Sequence, residues 1–291
     1  MDFVGKWKIW FAISLLAIIP GLIIFGIKGL NYGIDFAGGN ILELQFENKV
    51  STGQVRNVLK DFGLEKNPIQ SAGENRIIIR TPSLSEEKSR EIIDAFEKEF
   101  GKMNILRNER VDAVIGREIT YKGILALVIS SLLILLYMSY RFEFNFAAAG
   151  VIALLHDVLF VLAFTAIFQL EVDSSFIAVV LTIIGYSIND TIVVFDRIRE
   201  NLRIQKKKDL SLLVNESIKQ TMTRTLNTAG ATCLTLVALI LFGGETTKVF
   251  ATLLLVGTVA GTYSTIFIAS PLWIIFKTTR EKRGKIQAQK A

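Results

Sequence analysis

The stretch GYSINDTIVVFDRIREN, residues 185–201, reads as the second half of a membrane-spanning helix, yet Asp190 sits well inside its apolar run. A charge at that depth costs on the order of 2.5–3.5 kcal/mol on insertion scales, so it is expected to face other helices and to serve a function. Thr182, Tyr186, Asn189 and Asp190 are spaced to crowd one side of the helix. Gly185 and Ser187 permit close approach by a neighbour. Asp190 precedes Arg197 by about seven residues, which places it roughly 10 Å inside the end of the span.

A second polar stripe answers this one. Thr221, Arg224, Thr225, Thr228, Thr232 and Thr235 form a hydroxyl track along one face of a later apolar segment, with Arg224 near its end. The Arg224 side chain is long enough to reach Asp190 if the two helices are neighbours, or to snorkel to the interface. Asp157 is a further membrane carboxylate and follows His156 directly. Adjacent helix positions point about 100° apart, so His156 need not touch what Asp157 touches. Gly257, Gly261, Thr265 and Ala269 repeat every four residues and read as a helix-packing face. Asp190 admits two readings: a fixed hydrogen bond or ion pair that sets packing, or a carboxylate whose proton occupancy changes with the state of the protein.

The whole chain supports a membrane setting. Its 291 residues are 51% hydrophobic, with mean hydropathy +0.44. Six apolar segments, near 8–27, 122–140, 146–168, 175–196, 225–243 and 250–276, are long enough to span a bilayer. The first is too long for the core of a cleaved signal and reads as an uncleaved helix. The net charge of +6 sits between the apolar runs and near the C-terminus, which points to membrane orientation and not to nucleic acid. Lysines and arginines crowd the 197–224 loop and the basic tail 277–291, so this loop and both termini are expected on the cytoplasmic side of the cell membrane. One cysteine, Cys233, and one histidine, His156, exclude a disulfide framework and multi-histidine zinc sites, and no metal or cofactor is expected.

The layout predicts a polytopic α-helical membrane protein: a cytoplasmic N-terminus with the first helix (1–27), an inserted domain (28–121) and a five-helix bundle (122–276). The inserted domain reads as extracytoplasmic α+β, in the order β-α-β-β-α-β with a weak strand near 67–71, which fits a ferredoxin-like sandwich. Ser51 and either Ser83 or Ser85 are candidate helix caps, and Gly63 and Gly101 are helix stops. With no cysteine, histidine or phosphate loop, this domain suits binding or leverage better than catalysis.

GIDFAGG (33–39), LLHDVLF (154–160), the 185–201 stretch, TRTLNTAGAT (223–232) and LFGG (241–244) together resemble the SecD/SecF family of protein-export membrane proteins, in particular its SecF members. The resemblance implies six transmembrane helices, a pseudo-symmetric assembly with SecD, and kinship with resistance-nodulation-division transporters. It also implies work beside the SecYEG translocon, in which the proton-motive force helps draw the exported preprotein across the lipid bilayer. The family's aspartate and arginine that support proton flow match Asp190 and Arg224, with a further carboxylate on SecD. On the residues alone, proton coupling falls to Asp190, Arg224 and Asp157, supported by Tyr186, Asn189, Thr228 and His156, and no enzymatic activity is implied. Competing readings are a half-transporter of the same superfamily, a structural scaffold, and an intramembrane aspartyl protease using Asp157 and Asp190. The last lacks the Gly-x-Gly-Asp pattern at both positions.

Overall fold

A computed structural model describes residues 2–73, 75–111, 113–205 and 209–279. The chain divides into two compact units, one of residues Tyr32–Ile124 and one of Met1–Asn31 with Leu125–Ala291. The basic tail is described only as far as residue 279, and Lys206, Lys207 and Lys208 also lie outside the described residues.

The smaller unit is built from strand β1 (Gly39–Phe46), helix α2 (Thr52–Lys60), strands β2 (Ile69–Ser71) and β3 (Arg76–Thr81), helix α3 (Glu86–Phe100) and strand β4 (Met103–Val111). The expected β-α-β-β-α-β order is therefore the observed one. The strands form one sheet in the order β2-β3-β1-β4, with every adjacent pair antiparallel. Alternation puts Leu42, Leu44 and Phe46 of β1 and Ile77 and Ile79 of β3 on one face. That face packs on Val55 and Leu59 of α2 and Ile92 and Phe96 of α3. Burial of each large side chain contributes about 1.5–3 kcal/mol. Ser51 caps α2 in a capping box with Gln54, and Ser85, not Ser83, caps α3 by accepting from the Lys88 amide at 3.3 Å. Gly39 adopts φ 128°, and a Cβ there would lie 2.5 Å from the Thr81 carbonyl oxygen, so only glycine fits where β1 begins.

The larger unit holds helix α1 (Trp7–Lys28), helix α4 (Ala113–Arg141) from Leu125 onward, and helices α5 (Phe144–Phe168), α6 (Ser174–Ile204), α7 (Leu210–Phe242) and α8 (Glu245–Ser264). The α8 helix passes into a π-helical turn, Thr265–Ala269, and the apolar span it begins runs on to Thr279. All six apolar segments read from the sequence are helices of membrane-crossing length, and the chain is a multi-pass membrane protein. Exposed Leu125, Ile129, Leu132, Leu133 and Leu136 along α4 suit a helix facing hydrocarbon.

The 197–224 interval differs from the expected loop. The α6 helix continues to Ile204 and α7 starts at Leu210. The charged residues there lie among a buried apolar set, Ile198, Leu213, Val214 and Ile218, at helical spacing. Buried Asn201 ties the two extensions together, donating to Ser217 Oγ at 2.8 Å and Gln220 Oε1 at 2.9 Å. Helical amphipathicity, masked by the density of Lys and Arg, turns most of the interval into paired helix ends.

Candidate functional site

The α6 and α8 helices meet along a ladder with a four-residue step. A Cβ on Gly257 would lie 2.0 Å from Ile183 Cδ1, and one on Gly261 would lie 3.0 Å from Ser187 Cβ. One step further, the Thr191 and Thr265 hydroxyls share a hydrogen bond of 2.9 Å. Small residues on α8, Gly257 and Gly261, let the two backbones approach. Gly185 does not join it: it is exposed, and a Cβ there would meet nothing within 4 Å. Its face of α6 points away from α8, so no close approach among the described residues uses it.

The polar stripe of α6 divides. Thr182 and Asn189 are exposed and Tyr186 is half-buried, its phenol beside Thr232 of α7. Asp190 is buried at 9% exposure and accepts from Thr225 Oγ1 of α7 at 2.9 Å. The expected partner Arg224 is exposed and forms no ion pair within 4 Å among the described residues. One helix position, about 100°, separates it from Thr225, so the hydroxyl meets the carboxylate and the guanidinium turns outward. Arg224 still lies within electrostatic range of Asp190.

The threonine track is likewise two faces. Thr221 and Thr225 are buried. Thr228 and Thr235 are exposed and Thr232 is half-buried, and the three return their hydroxyls to the carbonyls of Arg224, Thr228 and Ala231, four residues back.

Asp157 is at 0% exposure and forms a second centre. Its Oδ2 accepts from Ser187 Oγ at 2.6 Å and Ser264 Oγ at 2.8 Å. Its Oδ1 lies 2.9 Å from His156 Nδ1, and His156 Nε2 lies 2.9 Å from Ser14 Oγ of α1. Although adjacent on α5, the imidazole folds back onto its neighbour's carboxylate, so the two residues act as one group. Tyr263 stacks on the imidazole with centroids 6.2 Å apart. Ser264 and Thr265 stand where α8 enters its π turn, a distortion often found at functional sites.

Asp157 and Asp190 thus have separate hydrogen-bond partners and do not form the shared dyad that an aspartyl protease requires. Ser14, Ser264 and Tyr263 were not singled out by the sequence. Lone hydroxyls in apolar helices carry no period, although Ser264 adjoins the four-residue repeat that contains Thr265.

Comparison with known proteins agrees with this architecture. The family model described as protein export membrane protein SecD/SecF, C-terminal, matches residues 91–279, and the SecD/SecF GG motif matches residues 23–50. Protein translocase subunit SecF of Sebaldella termitidis is 40% identical over 289 residues, covering 96% of this chain and 94% of that protein. The SecF of Pseudomonas aeruginosa is 37% identical, covering 97% of this chain and 93% of its own length. The protein translocase subunit SecDF of Bacillus subtilis is 36% identical across 98% of this chain, which spans 39% of that longer protein. A crystal structure of SecDF from Thermus thermophilus, a translocon-associated membrane protein, superposes with TM-score 0.88 at 36% identity, covering 96% of this chain and 39% of that one. Near full-length identity to translocase subunits, on a matching six-helix frame, shows that the chain belongs to the SecF family of protein translocase subunits.

Proposed function

We propose that this chain draws on the proton gradient to assist protein export, with a SecD partner, and that Asp190 is the group that takes up and releases the proton. The observation that carries this reading is the setting of Asp190. It is a buried carboxylate in a membrane-crossing helix, held by one hydroxyl and, among the described residues, contacted by no cation. A neutral carboxyl keeps Thr225 as a partner, so protonation alters charge without first breaking a contact. It also removes the attraction of Arg224, which releases α6 and α7 to shift against each other. One charge crossing 100 mV is worth about 2.3 kcal/mol, so a few protons are enough to bias a two-state motion.

Partnership with SecD is supported by the longer SecDF relatives, whose single chains include a match to nearly all of this one. The positive-inside pattern supports cytoplasmic termini in the cell membrane and, with them, an extracytoplasmic 28–121 domain. There it meets the exported preprotein as it leaves a SecYEG channel. In this role the chain does no covalent chemistry.

The test is proton flux and gradient-dependent export in liposomes holding the chain, its SecD partner and SecYEG. Asp190→Asn is expected to lose both while leaving the complex assembled. Wild-type flux together with wild-type export in that variant overturns the proposal.

A further inference from the structure

We infer that His156 and Asp157 form a second proton-binding centre, distinct from Asp190, in which the imidazole Nε2 takes up the proton and Asp157 is the fixed counter-charge. This goes beyond the reading of Asp190 and rests on it only for the use to which the proton is put.

The argument begins with the connectivity. Ser14 Oγ, His156 Nε2, His156 Nδ1 and Asp157 Oδ1 form one chain with both intervals at 2.9 Å. The other carboxylate oxygen is saturated by two hydroxyl donors, Ser187 and Ser264. Those donors, with Nδ1–H on Oδ1, hold Asp157 as an acceptor on both oxygens, which suits the carboxylate form. With the imidazole neutral, Nδ1 carries its hydrogen toward Asp157 and Nε2 accepts from the Ser14 hydroxyl. When a proton arrives at Nε2, the imidazolium donates from both nitrogens, and the Ser14 hydroxyl turns from donor to acceptor. The carboxylate then faces a full cation, and the pair goes from net −1 to net 0.

No heavy atom has to move in that step. A serine hydroxyl can serve as donor or acceptor, so every contact persists in both states. When the imidazole is neutral, the carboxylate has no counter-charge but keeps its three contacts, to His156 Nδ1 and the Ser187 and Ser264 hydroxyls. Among the described residues, the remaining titratable group in contact with the pair is Tyr263, stacked on the imidazole, whose hydroxyl donates to the Trp10 carbonyl at 2.7 Å. The α1 and α6 helices contribute Ser14 and Ser187, which do not titrate. Asp190 lies one turn beyond Ser187 on α6 and bonds Thr225 instead.

The consequence is mechanical as well as chemical. One imidazole, through its carboxylate and three serines, joins α1, α5, α6 and the end of α8. The charge state of this junction sets how strongly the four helices hold one another. Ser187 carries that difference onto the helix that bears Asp190.

His156 is the only histidine in the chain, so isotope-labelled histidine reports a single site. The experiment follows the imidazole nitrogen resonances of the full chain, purified without a polyhistidine tag and embedded in lipid bilayers, between about pH 5 and 8. The expected result is a reversible change from neutral imidazole to imidazolium as pH falls. Asp157→Asn is expected to lose the imidazolium over that range, and Ser14→Ala to shift the midpoint. A single protonation form throughout in the wild-type chain overturns the inference, as does an unchanged titration in Asp157→Asn. The measurement uses neither a gradient nor export, so it stands or falls apart from the role given to Asp190.

Discussion

Thr225 Oγ1 of α7 donates to Asp190 Oδ1 of α6 at 2.9 Å, and a hydroxyl, not a cation, is the direct partner of this membrane carboxylate. The relationship makes Thr225 testable. Thr225→Val keeps the shape and deletes the donor, which leaves a buried acceptor unsatisfied. A loss of about 1–3 kcal/mol in stability is expected, together with reduced proton flux. Thr225→Ser, which keeps the hydroxyl, is expected to restore flux. Thermal unfolding and flux measured on the same preparations check both.

Arg224 separates function from stability in the opposite sense. It is exposed and contacts no carboxylate among the described residues, so Arg224→Gln is expected to change unfolding free energy by no more than about 0.5 kcal/mol. Gradient-driven export is expected to fall in the same variant, because the long-range attraction on Asp190 is removed. An unfolding curve that matches wild type beside impaired export is the predicted pair of results. Unimpaired export removes Arg224 from the mechanism.

The α6–α8 ladder predicts sharply different costs for two glycines. Gly257→Val drives a side chain into Ile183, for which a loss of about 1–3 kcal/mol is expected. Gly185→Ala meets open space within this chain and replaces a poor helix former, so a gain of about 0.5–1 kcal/mol is expected for the isolated chain. Thermal unfolding of the two variants in one detergent reads the contrast.

The N-terminal segment is clipped to α7 by Asn215. Its Oδ1 accepts from the Phe3 and Val4 amides at 2.7 and 3.2 Å, and its Nδ2 donates to Asp2 Oδ1 at 2.8 Å. Asn215→Ala is expected to raise hydrogen exchange at those two amides by about tenfold, the equivalent of one hydrogen bond.

The same clip has a pH dependence of defined sign. The Gly5 amide, then the Asn215 side chain, hold the Asp2 carboxyl below its ordinary value. A carboxylate lowered in this way stabilises the fold fully above its unfolded pKa, near 3.9, and the contribution is lost as pH falls through the lower folded value. Protection of the Phe3 and Val4 amides is therefore expected to be level from neutral to mildly acidic pH and to drop only below the usual aspartate range. Loss of protection already near neutral pH contradicts the assignment.

Much of this molecule is legible in one dimension because the signals are periodic or local. Apolar runs of bilayer length mark the six spans, and alternation marks β1. Ser51 and Gln54 mark a helix start three residues apart, and the four-residue repeat of Gly257, Gly261 and Thr265 marks a close-packed face. Each follows from helix or strand geometry acting on neighbours in sequence. Asp190 was equally plain, since an acid within an apolar run stands out wherever the helix goes.

Which groups meet that acid was a different matter. Thr225 and Arg224 adjoin in sequence, and only the rotation of α7 against α6 decides that the hydroxyl points in and the guanidinium out. Ser14 and His156 are 142 positions apart and leave no shared period, yet they stand 2.9 Å apart once α1 lies against α5. Periodicity reports which face of a helix is buried. The partner on the other side is set by helix packing over long sequence separation, and there the two proton-binding candidates acquired their separate surroundings.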